Sequence, residues 1–230
     1  MAYPFGMDLL NIDFAKLKKI LNPVLLNRVM IAGVIGAWLI IFFINFHNGT
    51  FDFEEAVKNT GGLAWYLLLF VIFISLAQKL MRIFWPKFWL LAPFLPLRKW
   101  AGIFVFLVVC SHVIFKILLN SLGTDISAII SMTFSTDHAM IFGSLAFLVL
   151  LPLFLTSTQW AVKRMGFKAW KRLQRFSHLA FVLAALHVAL IDFFSRGEIE
   201  AGPILLLTVY FAGYGYLWWH KLKQSKTMAH

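Results

Sequence analysis

AGIFVFLVVCSHVIFKILL, residues 101–119, is a continuous apolar run that contains one histidine, and FSHLAFVLAALHVALIDFF, residues 176–194, is another with a histidine at its middle. Each run begins just after a cluster of Lys and Arg, and His112 and His187 are each the twelfth residue of their run. At helical rise both rings therefore lie roughly 17 Å from the start of their helix. A histidine inside a membrane span is costly unless it has a partner. One alone commonly hydrogen-bonds across helices. Two at matching depth, on spans that enter from one side, point to a single object held between them. A haem iron with two axial imidazoles fits that demand best, because one planar porphyrin must receive a nitrogen on each face.

The rest of the chain fits this setting. Of 230 residues, 61% are hydrophobic and only 13% charged, with a mean hydropathy of +0.81, which is a membrane composition. Six apolar runs approach spanning length: 29–46, 61–81, 101–119, 140–159, 176–194 and 203–219. The runs are continuously apolar and do not alternate, which excludes a transmembrane barrel. The expected fold is an all-α membrane protein, a six-transmembrane-helix bundle with the cofactor held between helices 3 and 5. Residues 1–28 read as a cytoplasmic amphipathic segment, 29–219 as the six-helix domain and 220–230 as a basic cytoplasmic tail.

Charge placement sets the orientation. Eighteen of the 21 basic residues fall in the N-terminal segment, the second–third and fourth–fifth connections, and the tail. Only Lys58, Lys116 and Arg196 fall on the other side, with most of the acids. By the positive-inside rule both termini are cytoplasmic. The net charge of +11 is thus a topology signal directed at anionic lipid and gives no reason to expect nucleic-acid binding. The basic run 163–175 is also suited to docking an acidic electron donor.

Within residues 1–28, Leu9, Leu10, Phe14, Leu17, Ile20 and Leu21 recur at helical spacing with lysines between them, as in a helix lying on a membrane surface. No signal-peptide pattern is present. Cys110 is the single cysteine, so there is no C-x-x-C-H attachment motif, and any haem is b-type.

Other residues around the pair are secondary candidates. Lys116 lies one turn outward of His112 on the same face, suited to a haem propionate or to snorkelling into the headgroups. Arg98, 14 residues before His112, is suited to a second haem, a flavin phosphate or simple anchoring. His178 is turned about 180° from His187 on an ideal helix and has no matching histidine on the third span. His47, His138, His220 and His230 lie at the rims or in the tail, where solvated histidines are ordinary.

Three places carry a family likeness: Asn59-Thr60-Gly61 with Leu76-Ala77; Arg98-Lys99-Trp100-Ala101-Gly102 followed by His112; and Leu155-Thr156-Ser157-Thr158-Gln159, Met165-Gly166 and Trp170-Lys171-Arg172-Leu173 followed by His187. With them, Thr60 to His187 resembles the ferric reductase-like transmembrane domain, and within it the haem-binding membrane subunits of bacterial methionine sulfoxide reductase systems. The resemblance implies a bacterial inner-membrane protein, haem ligation by His112 and His187, and electron entry from quinol or a cytosolic flavin reductase. It also implies delivery to a periplasmic molybdenum-containing reductase, with flavin mononucleotide as a further cofactor. One departure matters. Where the family often has a further histidine shortly after the Trp of the fourth–fifth connection, this chain has Gln174, a poor haem ligand. A second haem would have to draw on His178 instead.

After the sixth run only residues 220–230 follow, and no G-x-G-x-x-G appears. The chain reads as an electron conductor that needs a donor and an acceptor from elsewhere. Its rivals are a ferric-ion reductase or superoxide-generating module of the same fold, and, from another class, a small histidine-dependent proton or metal transporter. In the transporter reading His112 and His187 form a proton or metal path, but Pro152 is the only strong break in a span, where transporters often have several.

Overall fold

The computed structural model describes residues 23–47, 50–84, 94, 97–121, 138–197 and 201–227. The elements are α1 (Pro23–Ile44), a two-residue hairpin β1 (Phe46–His47) and β2 (Thr50–Phe51), α2 (Phe53–Phe84), α3 (Leu97–Ser121) and α4 (His138–Leu155). They continue with the short helices α5 (Gln159–Met165) and α6 (Phe167–Leu173), a 3-10 turn (Gln174–Phe176), α7 (Ser177–Arg196) and α8 (Ala201–Thr227). Six helical stretches are long and apolar enough to cross a membrane, as the composition requires. In lipid a helix satisfies every backbone polar group internally, so apolar runs of this length have no other stable form. The chain is a multi-pass membrane protein.

The helices begin and end where polar groups close them. α2 starts eight residues before the apolar run at 61, because Asp52 Oδ1 accepts the Glu55 N–H (3.0 Å) and caps the helix. One face of its first turns, with Lys58 paired to Glu54 at 2.8 Å, is exposed, while Ala56 and Thr60 on the other are buried in the bundle. β1 and β2 pair antiparallel, Phe46 opposite Phe51, a turn that the apolar pattern did not reveal. α7 ends on Gly197 at φ 72°, whose N–H bonds the Phe193 carbonyl, a left-handed closure that glycine adopts without strain. The outer boundaries also differ from the sequence reading: α1 already begins at Pro23, and α8 continues to Thr227 through the stretch expected as a tail. Straight-chain Lys and Gln suit a helix end. The amphipathic segment expected before Pro23 lies outside the described residues.

Two helix pairs form the body of the bundle. α2 runs closely along α3, and α4 along α7, whereas α3 and α7 scarcely touch. Small buried residues let the backbones approach: Ala56, Ala101, Ala180 and Ala185 are fully enclosed, the pattern on which membrane helices depend for packing. Between the pairs, Phe106 stacks on Phe154 (4.4 Å) and Trp65 on Phe181 (5.7 Å). α1 lies at the edge, tied to α3 by Trp38 Nε1 donating to Ser111 Oγ at 3.1 Å.

Candidate functional site

The gap between α3 and α7 is where the two histidines meet. Their ring centroids are 6.5 Å apart and their planes cross at 84°. Each ring is fixed by the helix it packs against. His112 Nδ1 lies 2.9 Å from the Val57 carbonyl of α2, and His187 Nδ1 lies 2.6 Å from the Ala139 carbonyl of α4. A carbonyl can only accept, so Nδ1 carries the hydrogen in both rings and Nε2 carries the lone pair. That is the tautomer, and the supporting bond, that metal-binding histidines use.

Room for the rings comes from two glycines. A Cβ placed on Gly61 would lie 3.1 Å from the His112 ring, and one on Gly143 would lie 2.8 Å from the His187 ring. Gly61 follows Val57 by four residues, and Gly143 follows Ala139 by four. On a helix that spacing puts the accepting carbonyl and the bare glycine on one face, one turn apart. The two half-sites are therefore built alike: a carbonyl clamps the ring and a glycine admits it. Two imidazoles bound through Nε2 to opposite sides of one metal, with bonds of about 2 Å, would hold their centroids roughly 6 Å apart. The observed separation fits a bis-histidine centre.

The other candidates divide between this site and the far end. Lys116 lies within electrostatic reach of His112. Arg98 lies 14 residues back along α3, about 21 Å by helical rise, and does not join the pair. His178 faces α8, with ring centroids 5.0 Å from Tyr214 and 5.9 Å from Tyr210, as its rotation away from His187 implies. Gln174 Nε2 donates to the Leu153 carbonyl at 3.4 Å, at the end of α4. That carbonyl, among the last of the helix, also accepts from Ser157 Oγ at 2.7 Å and Thr156 Oγ1 at 3.4 Å.

Sequence reasoning missed Val57, Ala139 and Gly143. The signal was present only as a repeated spacing, a glycine four residues after the accepting carbonyl on the helix preceding each histidine helix. The Leu155–Leu173 string proves to be a folded elbow: Thr158 caps α5 (Ala161 N–H, 3.2 Å), Gly166 sits at φ 75° between α5 and α6, and Trp170 Nε1 donates to the Thr156 carbonyl at 3.1 Å.

Residues 60–185 match the family described as ferric reductase like transmembrane component. The magnetosome protein MamZ of Magnetospirillum gryphiswaldense is 34% identical over 118 residues, 49% of this chain and 17% of that one. The protein-methionine-sulfoxide reductase heme-binding subunit MsrQ of Herminiimonas arsenicoxydans is 29% identical over 150 residues, 65% of this chain and 63% of that one. MsrQ of Rhodospirillum rubrum is 34% identical over 156 residues, 66% and 69% of the two chains. The matched region is thus a small part of the magnetosome protein and under two thirds of the first MsrQ. A six-span bundle with a histidine on each of two neighbouring long helices defines the chain's class, and it belongs to the ferric reductase-like transmembrane family. Within that family it falls in the MsrQ (YedZ) branch.

Proposed function

We propose that the chain is a transmembrane electron-transfer subunit in which His112 and His187 are the axial ligands of one b-type haem. The observation that carries this is the pair itself: two imidazoles 6.5 Å apart, each with its Nδ1–H held by a carbonyl of the neighbouring helix. Haem, when bound, supplies one-electron chemistry. The protein's part is to hold both rings in one tautomer and to pack an apolar core beside them with Phe106, Trp65 and Phe181. Lys116, one turn from His112, is placed for a propionate. Neither Gln174, which serves α4, nor His178, which faces α8, adds a second matched pair.

The basic end is taken as cytoplasmic by the positive-inside rule, in a bacterial inner membrane with both termini inside. On that orientation electrons enter from quinol or a cytosolic flavin reductase. They leave to a periplasmic molybdenum-containing reductase acting on oxidised protein methionine, a reading supported by the MsrQ relatives' being heme-binding subunits of protein-methionine-sulfoxide reductase. In proteoliposomes the haem bands should reduce with a quinol analogue or with NADH and flavin reductase. They should reoxidise only when the periplasmic reductase and methionine sulfoxide are both added. Reoxidation by ferric chelates, with none by that pair, would replace this reading with a metal reductase.

A further inference from the structure

At the end of the bundle away from the histidine pair, polar side chains from four helices converge. Lys79 of α2 places Nζ 3.2 Å from the Tyr214 hydroxyl of α8 and 4.7 Å from the centre of its ring. His178 of α7 stands edge-on to the same ring, and its Nδ1 is buried without a hydrogen-bond partner. Arg98, in the first turn of α3, is close enough to His178 and Tyr214 to interact with both electrostatically. Lys171 and Arg175 are near enough to Lys79 to repel it.

This cluster lacks a counter-charge among the described residues. The described acids, Asp52, Glu54, Glu55 and Asp192, all lie toward the opposite end of the bundle. Arg98 is half-buried while Lys79, Lys171 and Arg175 are exposed around it, and like charges gathered about a partly enclosed cation cost free energy unless an anion accompanies them. A phosphate oxygen cluster supplies that charge, with acceptors for a guanidinium, an ammonium and an imidazole N–H together. Beside the cluster, α8 exposes Phe211, Trp218 and Trp219, and Phe84 of α2 stacks on Tyr216. Such a surface suits acyl chains and an interfacial aromatic belt.

The geometry points to a phosphate-binding site formed by Lys79, Arg98, His178 and Tyr214 that takes the head group of one anionic phospholipid. Basic pockets between helices on the cytoplasmic side hold such head groups elsewhere, and the leaflet assigned here rests on the orientation proposed above. The test is native mass spectrometry of the full chain in detergent with an equimolar mixture of phosphatidylglycerol and phosphatidylcholine. The expected result is retention of one phosphatidylglycerol in preference to phosphatidylcholine, weakened about tenfold in Arg98→Gln and in Lys79→Gln. Equal retention of the two lipids by the unaltered protein would overturn the site, as would selectivity that survives both substitutions. Loss of the lipid to millimolar sodium phosphate would overturn a lipid source in favour of a soluble one. The selectivity of the unaltered protein is decisive even if a variant fails to fold. Haem content read in the same samples separates this outcome from that of the electron-transfer reading.

Discussion

His187 donates its Nδ1–H to the carbonyl of Ala139, 48 residues earlier in the chain, at 2.6 Å. The bond ties α7 to α4 at the level where His112 is tied to α2 in the same way. Each pair of helices therefore presents one imidazole, and the bundle brings the two together across the gap between α3 and α7.

The least room for an added side chain in this arrangement is at Gly143, beside the His187 ring. An added methyl at 2.8 Å forces the ring to move, while at Gly61 the same methyl meets His112 at 3.1 Å. Overpacking of this kind costs about 1–3 kcal/mol. Gly143→Ala is expected to weaken haem retention roughly 5- to 150-fold, and Gly61→Ala less, read as haem-to-protein ratio after purification. Full retention in Gly143→Ala would mean that the ring is not held where the glycine places it.

The crossing of the ring planes has a spectroscopic consequence. In a low-spin bis-histidine centre, perpendicular ligand planes leave two iron d orbitals nearly degenerate, and the electron paramagnetic resonance signal then has one large g value. Parallel planes give a rhombic signal instead. With the planes at 84°, the oxidised protein is expected to show the first type.

Gln174 is expected to behave as a structural residue. Gln174→Ala removes one of three side-chain donors to the Leu153 carbonyl, which keeps Ser157 Oγ at 2.7 Å, and should cost at most about 1 kcal/mol of stability, seen as a small fall in Tm. The haem-to-protein ratio should stay unchanged. A parallel loss of haem would place Gln174 in a cofactor site.

Much of this was legible in the sequence, for identifiable reasons. Continuous apolar runs can only be helices in lipid, so the six spans followed directly. The matched depth of His112 and His187 followed from the common helical rise. Val57 and Ala139 could not be read, because they act through backbone carbonyls that every residue possesses. Gly143 could not be read because its use depends on which face of α4 meets α7. The early start of α2 escaped because Asp52 caps a polar turn, outside any apolar run. The Leu155–Leu173 string carried the family likeness, but its Thr158, Gly166 and Trp170 build an elbow and not a ligand set.

Orientation has its own test. Alkaline phosphatase fused after Thr227 should be inactive and green fluorescent protein there should fluoresce, whereas phosphatase inserted between α3 and α4 should be active. The reverse pattern would invert the direction of electron flow proposed above.

The most direct measurement is the dithionite-reduced minus oxidised spectrum of the purified protein from haem-replete cells, beside His112→Ala and His187→Ala. The expected result is the pattern of low-spin b-type haem in the unaltered protein and its loss in each variant while both still fold as membrane proteins. A colourless preparation, or the same low-spin spectrum in both variants, would contradict ligation by His112 and His187.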